Sequence, residues 1–256
     1  NTIFLLDAGL SNAEAFAANA FFTAGMVLFE VPTGIVADTV GRRTSYLLGT
    51  ATLTASTLVY VLLWQVEAPF WQWALASVLL GLGFTFFSGA VEAWLVDGLA
   101  ATGFHGELES VLARGQIVSG VAMLTGSVAG GYIAQVTDLG VPFLVRAGVL
   151  VVMFAVAFRV MHDVGFEPEK GQRPLAEMRK ISSDSIEYGW RVPAVKWLML
   201  GSLFSGGVGI YAFYALQPYL LELYGDPEAY TVAGLVAAIV AGAQILGGIA
   251  APRIRR

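Results

Sequence analysis

The sequence of 256 residues contains no cysteine and few charged side chains. Without cysteine, the chain forms no disulfide bridge and no thiolate metal site. Charged residues make up 13% of the chain, whereas soluble domains contain about 25%. Hydrophobic residues make up 57%. This balance excludes an ordinary soluble globular domain.

Histidine is also scarce. The only two, His105 and His162, stand far apart near the ends of apolar runs. Neither has a second histidine at the spacing that metal ligands need. We therefore predict no enzyme, no metal site and no cofactor.

Long uncharged runs occupy most of the chain. A helix that crosses the hydrocarbon core of a bilayer needs about 20 mainly apolar residues. Two runs reach this length with one internal charge each, Glu30 or Arg146, and five others reach it with none. We predict an all-α polytopic membrane protein with seven complete spans after the outer end of an incomplete first one. We place spans 2 to 8 at 12–37, 44–66, 70–96, 110–136, 141–161, 194–222 and 229–251.

Lysine and arginine are concentrated in alternate connections. By the positive-inside rule, the basic connections lie in the cytoplasm. This predicts a multi-pass protein of the cell (plasma or inner) membrane with a cytoplasmic N-terminus. Four turns contain neither residue type and are predicted to lie outside, namely 10–14, 65–70, 135–140 and 222–229.

A dense group of charges closes span 2, where residues 34–43 read GIVADTVGRR. Asp38 falls at a helix C-terminus, where the helix dipole disfavours a carboxylate, so we expect a nearby cation to answer it. Arg42 and Arg43 follow one tight turn later, and Gly41 can take the positive φ that such a turn often needs. Gly34 precedes Asp38 by one helical turn and leaves room for a neighbouring helix.

This stretch resembles the G-x-x-x-D-x-x-G-R-R/K signature between spans 2 and 3 of the major facilitator superfamily of secondary transporters. Thr39 stands where the family frequently has Arg. The family is built from two related six-helix halves, and residues 247–256 form a degenerate second copy that lacks the Asp. The resemblance therefore extends over the whole chain at the level of topology.

The resemblance implies a major-facilitator-type helical bundle, truncated at both ends. Residues 1–162 would form the N-terminal bundle of spans 1 to 6. Residues 163–193 would form a cytoplasmic linker, in which 174–186 has the pattern of an amphipathic surface helix. Residues 194–256 would begin the C-terminal bundle with spans 7 and 8.

In the family, this loop is associated with gating. The resemblance implies that Asp38, Arg42 and Arg43 hold the cytoplasmic helix ends together, with Gly34 and Gly41 shaping the loop. Asp97 at the end of span 4 is a further partner that we expect for these arginines. The alternative is that the charges only anchor the topology.

Four ionisable residues besides this group need a partner or a role, because a charge at the centre of a bilayer costs roughly 2.5–3.5 kcal/mol or more. Glu30 lies about two turns deeper than Asp38. It is our candidate for proton coupling, and a structural carboxylate bonded to a neighbouring helix is the alternative. We predict that Glu92 in span 4 pairs with Arg114 in span 5.

Arg146 lies near the outer end of span 6. Its long side chain is expected to extend to the outer interface. Two alternatives are an ion pair with Asp7 or Asp138 and the binding of an anionic substrate.

Span 7 reads YAFYALQPY over residues 211–219. Tyr211, Tyr214 and Gln217 share a broad helical face, and such an aromatic, lightly polar wall suits a drug-like solute. The tyrosines are equally typical of interfacial anchors. Residues 126–131, GSVAGG, resemble part of a G-P-x-x-G-G motif of the family's proton-driven exporters, with Ser127 in place of Pro.

These features predict a secondary active transporter that works by alternating access and exports a small organic or drug-like compound in exchange for protons. The alternatives are proton-coupled uptake of a small organic solute and a channel-like or non-transporting bundle. We expect a monomer whose partners are the lipid bilayer, a small-molecule substrate and protons, without nucleic acid.

Overall fold

The computed structural model describes residues 1–168, 183 and 187–254. In this part of the chain every element of regular secondary structure is helical, which confirms the predicted all-α class. A short helical segment covers residues 187–191. The longer elements are α1 (Thr2–Asp7), α2 (Asn12–Thr39), α3 (Arg42–Gln65), α4 (Phe70–Ala101), α5 (Leu108–Val136), α6 (Gly140–Val160), α7 (Pro193–Tyr224) and α8 (Tyr230–Ile254).

The helix bounds follow the predicted spans to within a few residues. The largest difference is at α4, which continues to Ala101, so that Asp97 lies inside the helix rather than at its end. Within the described residues, six helices, α2 to α7, are long and apolar enough to cross a bilayer. In α8 the described apolar segment is Tyr230–Ala243, and the side chains after it lie outside the described residues, so the seventh predicted crossing stays a prediction. The predicted amphipathic helix at 174–186 falls outside the described residues, apart from residue 183.

Helix α2 begins with a capping box. The Ser11 hydroxyl accepts a hydrogen bond from the backbone N–H of Glu14, and the Glu14 carboxylate accepts one from the backbone N–H of Ser11. These bonds satisfy donors that the first turn leaves free. The chain therefore enters α2 at a fixed residue.

Helix α4 packs between α2 and α3. Glycines permit both approaches: a Cβ at Gly81 would lie 2.5 Å from the carbonyl oxygen of Phe22 in α2. A Cβ at Gly83 would lie 2.7 Å from the Leu53 side chain in α3. These helices are therefore close-packed, which fixes the face that α4 leaves uncovered.

Buried aromatic side chains join α1, α3, α4 and α6. The rings of Phe4 and Phe143 stack with centroids 4.1 Å apart, and Tyr60 meets Trp73 edge to face at 5.2 Å. The Tyr60 hydroxyl and the Ser77 hydroxyl share a hydrogen bond of 2.6 Å. Phe4, Tyr60 and Trp73 are almost fully buried. This core joins α1, α3, α4 and α6.

Helix α5 packs along α8. The backbones approach most closely at a pair of glycines, because a Cβ at Gly131 would lie 2.6 Å from the Tyr230 carbonyl oxygen and 3.0 Å from the Gly234 Cα. The Thr231 N–H donates to the Gln135 side chain at 3.3 Å. Interfaces of this kind are typical of membrane helices, where small residues allow close packing.

Candidate functional site

The turn between α2 and α3 is shaped by Gly41. Gly41 is the N-cap of α3 and has a φ of +128°, so the expected positive φ is confirmed. The Asp163 carboxylate, just beyond the end of α6, accepts a hydrogen bond of 2.8 Å from the Arg43 N–H. It lies against the Gly41 Cα, in the space that a Cβ would fill. Asp163 therefore caps the first turn of α3 from a different part of the chain.

Arg42 bonds to two carboxylates. Its guanidinium contacts Asp38 at the end of α2, and its Nε lies 3.4 Å from the Asp97 Oδ2 in α4. The same guanidinium lies over the Phe166 ring, 5.6 Å from the centroid. The Arg42 side chain is only 17% exposed. Arg42 thus connects α2, α3 and α4 at a half-buried position, where charge pairs are screened less than at an open surface.

Arg43 turns to α6. Its guanidinium donates to the Phe158 carbonyl oxygen and lies over the Phe158 ring, 5.1 Å from the centroid. Nearby, the Trp94 indole N–H donates to the His162 carbonyl oxygen at 2.8 Å. Gly165, with a φ of +77°, brings the segment after α6 against the end of α4. We call Asp38, Arg42, Arg43, Asp97 and Asp163 the Arg42 cluster.

The structure brings together the predicted residues Asp38, Arg42, Arg43 and Asp97, and adds Asp163, which the sequence interpretation missed. The available signal was an acidic residue directly after span 6, two positions before a glycine. Gly34 differs from expectation, because no described residue lies within 4 Å of its Cβ position. Its side of α2 is not used for helix packing in the described part of the chain.

One face of α4 is uncovered and polar. Phe84, Ser88 and Glu92 follow one another at one-turn intervals and are all exposed. The Ser88 hydroxyl donates a hydrogen bond of 2.7 Å to the Glu30 carboxylate of α2. Glu30 is also exposed, and it forms no ion pair with a described residue. We call Glu30, Phe84, Ser88 and Glu92 the open face.

The predicted ion pair between Glu92 and Arg114 is wrong. Both side chains are exposed, and neither has an ion-pair partner among the described residues. The reason is the packing of α5, which contacts α8 and α6 rather than α4. Neighbours in sequence order are not neighbours here.

Arg146 does not extend to the nearest end of the bundle. Its guanidinium lies over the Phe84 ring, 5.9 Å from the centroid. By helical rise, Arg146 is about 9 Å from the start of α6 and Phe84 about 21 Å from the start of α4. The side chain therefore reaches inward, toward the open face.

The alternative partners of Arg146 are also excluded in this structure. The Asp7 carboxylate accepts a hydrogen bond of 2.9 Å from the Trp64 indole N–H. The Asp138 carboxylate accepts bonds of 2.8 Å and 3.1 Å from the backbone N–H groups of Gly140 and Val141, at the start of α6. Each carboxylate satisfies donors that would otherwise lack a partner.

The three α7 residues do not act as one wall. The Tyr211 ring stacks on Phe16 of α2 at 5.3 Å. The Gln217 amide donates a hydrogen bond of 3.0 Å to the Ala233 carbonyl oxygen of α8. Tyr214 is half-buried between them, and Pro218 lies within a helix that continues to Tyr224. Of the three side chains, Gln217 is hydrogen-bonded to α8, whereas neither tyrosine has such a bond in the described part of the chain.

A family model of the Major Facilitator Superfamily matches residues 2–256. The chain belongs to this superfamily. It is a secondary transporter and a multi-pass membrane protein, with the lipid bilayer around it and a small molecule as its substrate. Members of the superfamily are transporters rather than enzymes. In the same comparisons no curated protein and no solved structure matches the chain.

The transporter contains carboxylates in two chemical settings. Asp38 and Asp97 are paired with Arg42, and their protonation would break an ion pair. Glu30 is bonded to the neutral hydroxyl of Ser88 and forms no ion pair with a described residue. Among the described residues, no group of histidine, aspartate and glutamate has the arrangement of a metal site.

Proposed function

We propose that this transporter exports a small organic or drug-like compound in exchange for protons, by alternating access across the cell membrane. In this proposal Glu30 carries the proton. In this proposal the protein is a monomer with two bundles that move against each other. Residues 1–162 form the N-terminal bundle, and residues 194–256 begin the C-terminal bundle. The linker at 163–193 and the N-terminus lie in the cytoplasm.

The hydrogen bond between Glu30 and Ser88 is the observation that carries the proposal. Glu30 is more than halfway along α2, away from both ends of the bundle. A charge at such a depth is costly unless it has a role. The Ser88 hydroxyl is both donor and acceptor, so it can bond to the ionised or to the protonated carboxyl group. Exposure on the open face gives protons and solute access to the same group.

The Arg42 cluster supports the proposed gate. Its three carboxylates and two arginines join α2, α3, α4 and the segment after α6 into one unit. A gate needs such a rigid unit, since a packed group of helix ends moves as a body. The proposed gating residues are Gly34, Asp38, Gly41, Arg42, Arg43 and Asp97.

The direction of transport rests on residues 126–131, whose glycines resemble the exporters' motif. Gly131 is one of the two glycines at the closest approach of α5 and α8, which supports a role in packing the two halves. Tyr211 and Tyr214 are proposed to contact the solute. Gln217 lines a different cavity, of about 180 Å³, together with Gly130 and Gly131 of α5.

Everted membrane vesicles that contain the transporter provide the test. Respiration acidifies their interior, and acridine orange fluorescence reports the gradient. A solute that is exchanged for protons discharges the gradient when it is added outside. With the wild type, we expect some compounds of an organic panel to discharge the gradient. With Glu30→Gln, we expect none of these compounds to discharge it.

Two comparison variants sharpen this test. Glu92→Gln removes the other carboxylate of the open face and should leave proton exchange in place. Glu67→Gln changes an exposed carboxylate in the turn after α3 and serves as the matched control. Exchange by Glu30→Gln at the wild-type rate would show that Glu30 does not carry the proton.

The position of Arg146 favours a second candidate function, uptake of an organic anion together with protons. An anion near the open face would repel ionised Glu30, so it would favour the protonated form. Proton and anion would then bind together and travel in the same direction. In the vesicle assay such a transporter would discharge the gradient when the solute is loaded inside.

A further inference from the structure

Arg146 is a half-buried cation in a membrane-spanning helix without a described carboxylate partner. Among the described residues its guanidinium forms no ion pair and donates no hydrogen bond, and it lies over the Phe84 ring. Arg42, in contrast, has two carboxylates. An arginine inside a membrane bundle usually faces a partner or a pathway, because its charge is costly there.

Two acidic side chains near the start of α6 and the end of α1 are bonded to other groups rather than to Arg146. Asp7 is bonded to Trp64, and Asp138 caps the first turn of α6. Moving either carboxylate to Arg146 would leave a donor unpaired, which offsets the gain from a new bond. Neither of these carboxylates pairs with Arg146, and Glu30 on the open face is bonded to Ser88 rather than to Arg146.

The surroundings of the guanidinium are aromatic and open. Phe84, beneath it, is 40% exposed and belongs to the open face. One turn further along α4, about 6 Å by helical rise, Ser88 holds the Glu30 carboxylate. A solute on the open face would meet the cation and the ring together.

We propose that Arg146 binds the anionic group of the transported solute. The substrate class is an organic carboxylate with an apolar or aromatic body that lies against Phe84. Guanidinium matches a carboxylate with two parallel N–H donors, a geometry that a lysine ammonium does not reproduce. The inference rests on the proposed function because it names the solute that the transporter carries.

The test uses three probes with the same ring and different charge: benzoate, benzamide and benzylammonium. The full-length transporter is purified in detergent, and its melting temperature is followed by tryptophan fluorescence as each probe is titrated. A ligand that binds the folded state raises this temperature. We expect benzoate to bind at least about tenfold more tightly than the neutral or cationic probe, as a charge-assisted hydrogen bond implies.

Variants locate the preference. Arg146→Gln should weaken benzoate binding about ten- to hundredfold and leave benzamide unchanged. Arg146→Lys should keep the preference for benzoate at reduced affinity. Arg159→Gln makes the same substitution on an exposed arginine of the same helix and should bind benzoate like the wild type.

Equal binding of benzoate and benzamide by the wild type would overturn the proposal, as would no binding of benzoate. An unchanged preference in Arg146→Gln would overturn it too, and if that variant does not fold, the wild-type and Arg146→Lys titrations decide. No proton gradient is present in these titrations. A benzoate preference that persists while Glu30→Gln still exchanges protons would therefore reject the coupling role and keep the anion site.

Discussion

Gly41 allows a sharp test of how the Arg42 cluster is built, because the replacement Gly41→Ala adds one methyl group at a single point. The backbone there has a φ of +128°, a conformation that L-residues rarely adopt. The added Cβ would also occupy the place of the Asp163 carboxylate. Two separate costs are therefore expected from one methyl group.

Both costs follow from the geometry. Strain at a φ of this kind is worth about 1–3 kcal/mol. Displacing Asp163 weakens its 2.8 Å hydrogen bond with the Arg43 N–H. A bond to an ionised acceptor contributes about 1.5–3 kcal/mol. Together the two costs amount to roughly 2.5–6 kcal/mol, and for a chain of this size they correspond to a melting temperature lower by roughly 5–20 °C.

The melting temperature of the purified full-length transporter, followed by tryptophan fluorescence, measures this loss. Gly98→Ala is the matched control, since Gly98 lies in α4 beside Asp97 with open space around its Cβ position. It should be neutral or slightly stabilising, by up to about 1 kcal/mol. A melting temperature of Gly41→Ala within about 2 °C of the wild type would refute the reasoning.

A double-mutant cycle separates the two costs of Gly41→Ala. Asp163→Ala alone should cost about 1.5–3 kcal/mol through the lost cap. In the Gly41→Ala background, most of that bond is already weakened, so Asp163→Ala should cost less. Strictly additive effects would show that the methyl group does not act through Asp163.

Two further predictions concern helix contacts, and both are measured by melting temperature. Gly131→Ala should lower the free energy of unfolding by about 1–3 kcal/mol, because its Cβ would lie 2.6 Å from the α8 backbone. Gly126→Ala should be neutral, because nothing lies within 4 Å of its Cβ position. Equal effects of the two variants would contradict the described packing of α5 on α8. Arg42→Gln should cost about 1–3 kcal/mol, since it leaves two carboxylates without their cation, and Asp97→Asn should cost less because Arg42 keeps Asp38. A larger loss in Asp97→Asn than in Arg42→Gln would contradict this order.

The helices could be predicted from the sequence because membrane helices are set by local properties. Each needs only a sufficiently long apolar run, whose backbone bonds are all internal. The positive φ of Gly41 was an equally local signal, and it is present. The predicted end of α4 was wrong because it was placed where the apolar run meets the charge of Asp97. The helix continues past this residue to Ala101.

Partners across the bundle could not be predicted in the same way. The assignment of Arg114 to Glu92 assumed that consecutive helices pack together, but α5 packs along α8 instead. Asp163 was missed because only the folded chain returns the end of α6 to the α2–α3 turn. Arg146 was expected to extend toward an interface, and its direction depends on the Phe84 ring of another helix. Each of these contacts is tertiary.

Glu30 and Arg146 lie on the same side of α4, and their opposite charges link the sign of the solute to the direction of transport. A bound anion repels an ionised carboxylate, so it would make Glu30 hold its proton more tightly. Linkage is reciprocal, and a protonated Glu30 would bind the anion more tightly in return. Exchange of solute for protons needs the opposite coupling, in which binding of the solute and protonation of Glu30 weaken each other.

The benzoate titration therefore also decides between the two candidate functions when it is repeated at two pH values. Affinity that rises as the pH falls, and loses this dependence in Glu30→Gln, indicates that anion and proton bind together and favours uptake. Affinity that falls with the pH in the same Glu30-dependent way indicates competition and favours export. Benzoate itself stays ionised near neutral pH, where histidine is the side chain whose ordinary pKa interferes. His105 and His162 are both exposed and lie at the Arg42 end of the bundle, far along the helices from Phe84, so a pH dependence that disappears in Glu30→Gln is assigned to Glu30.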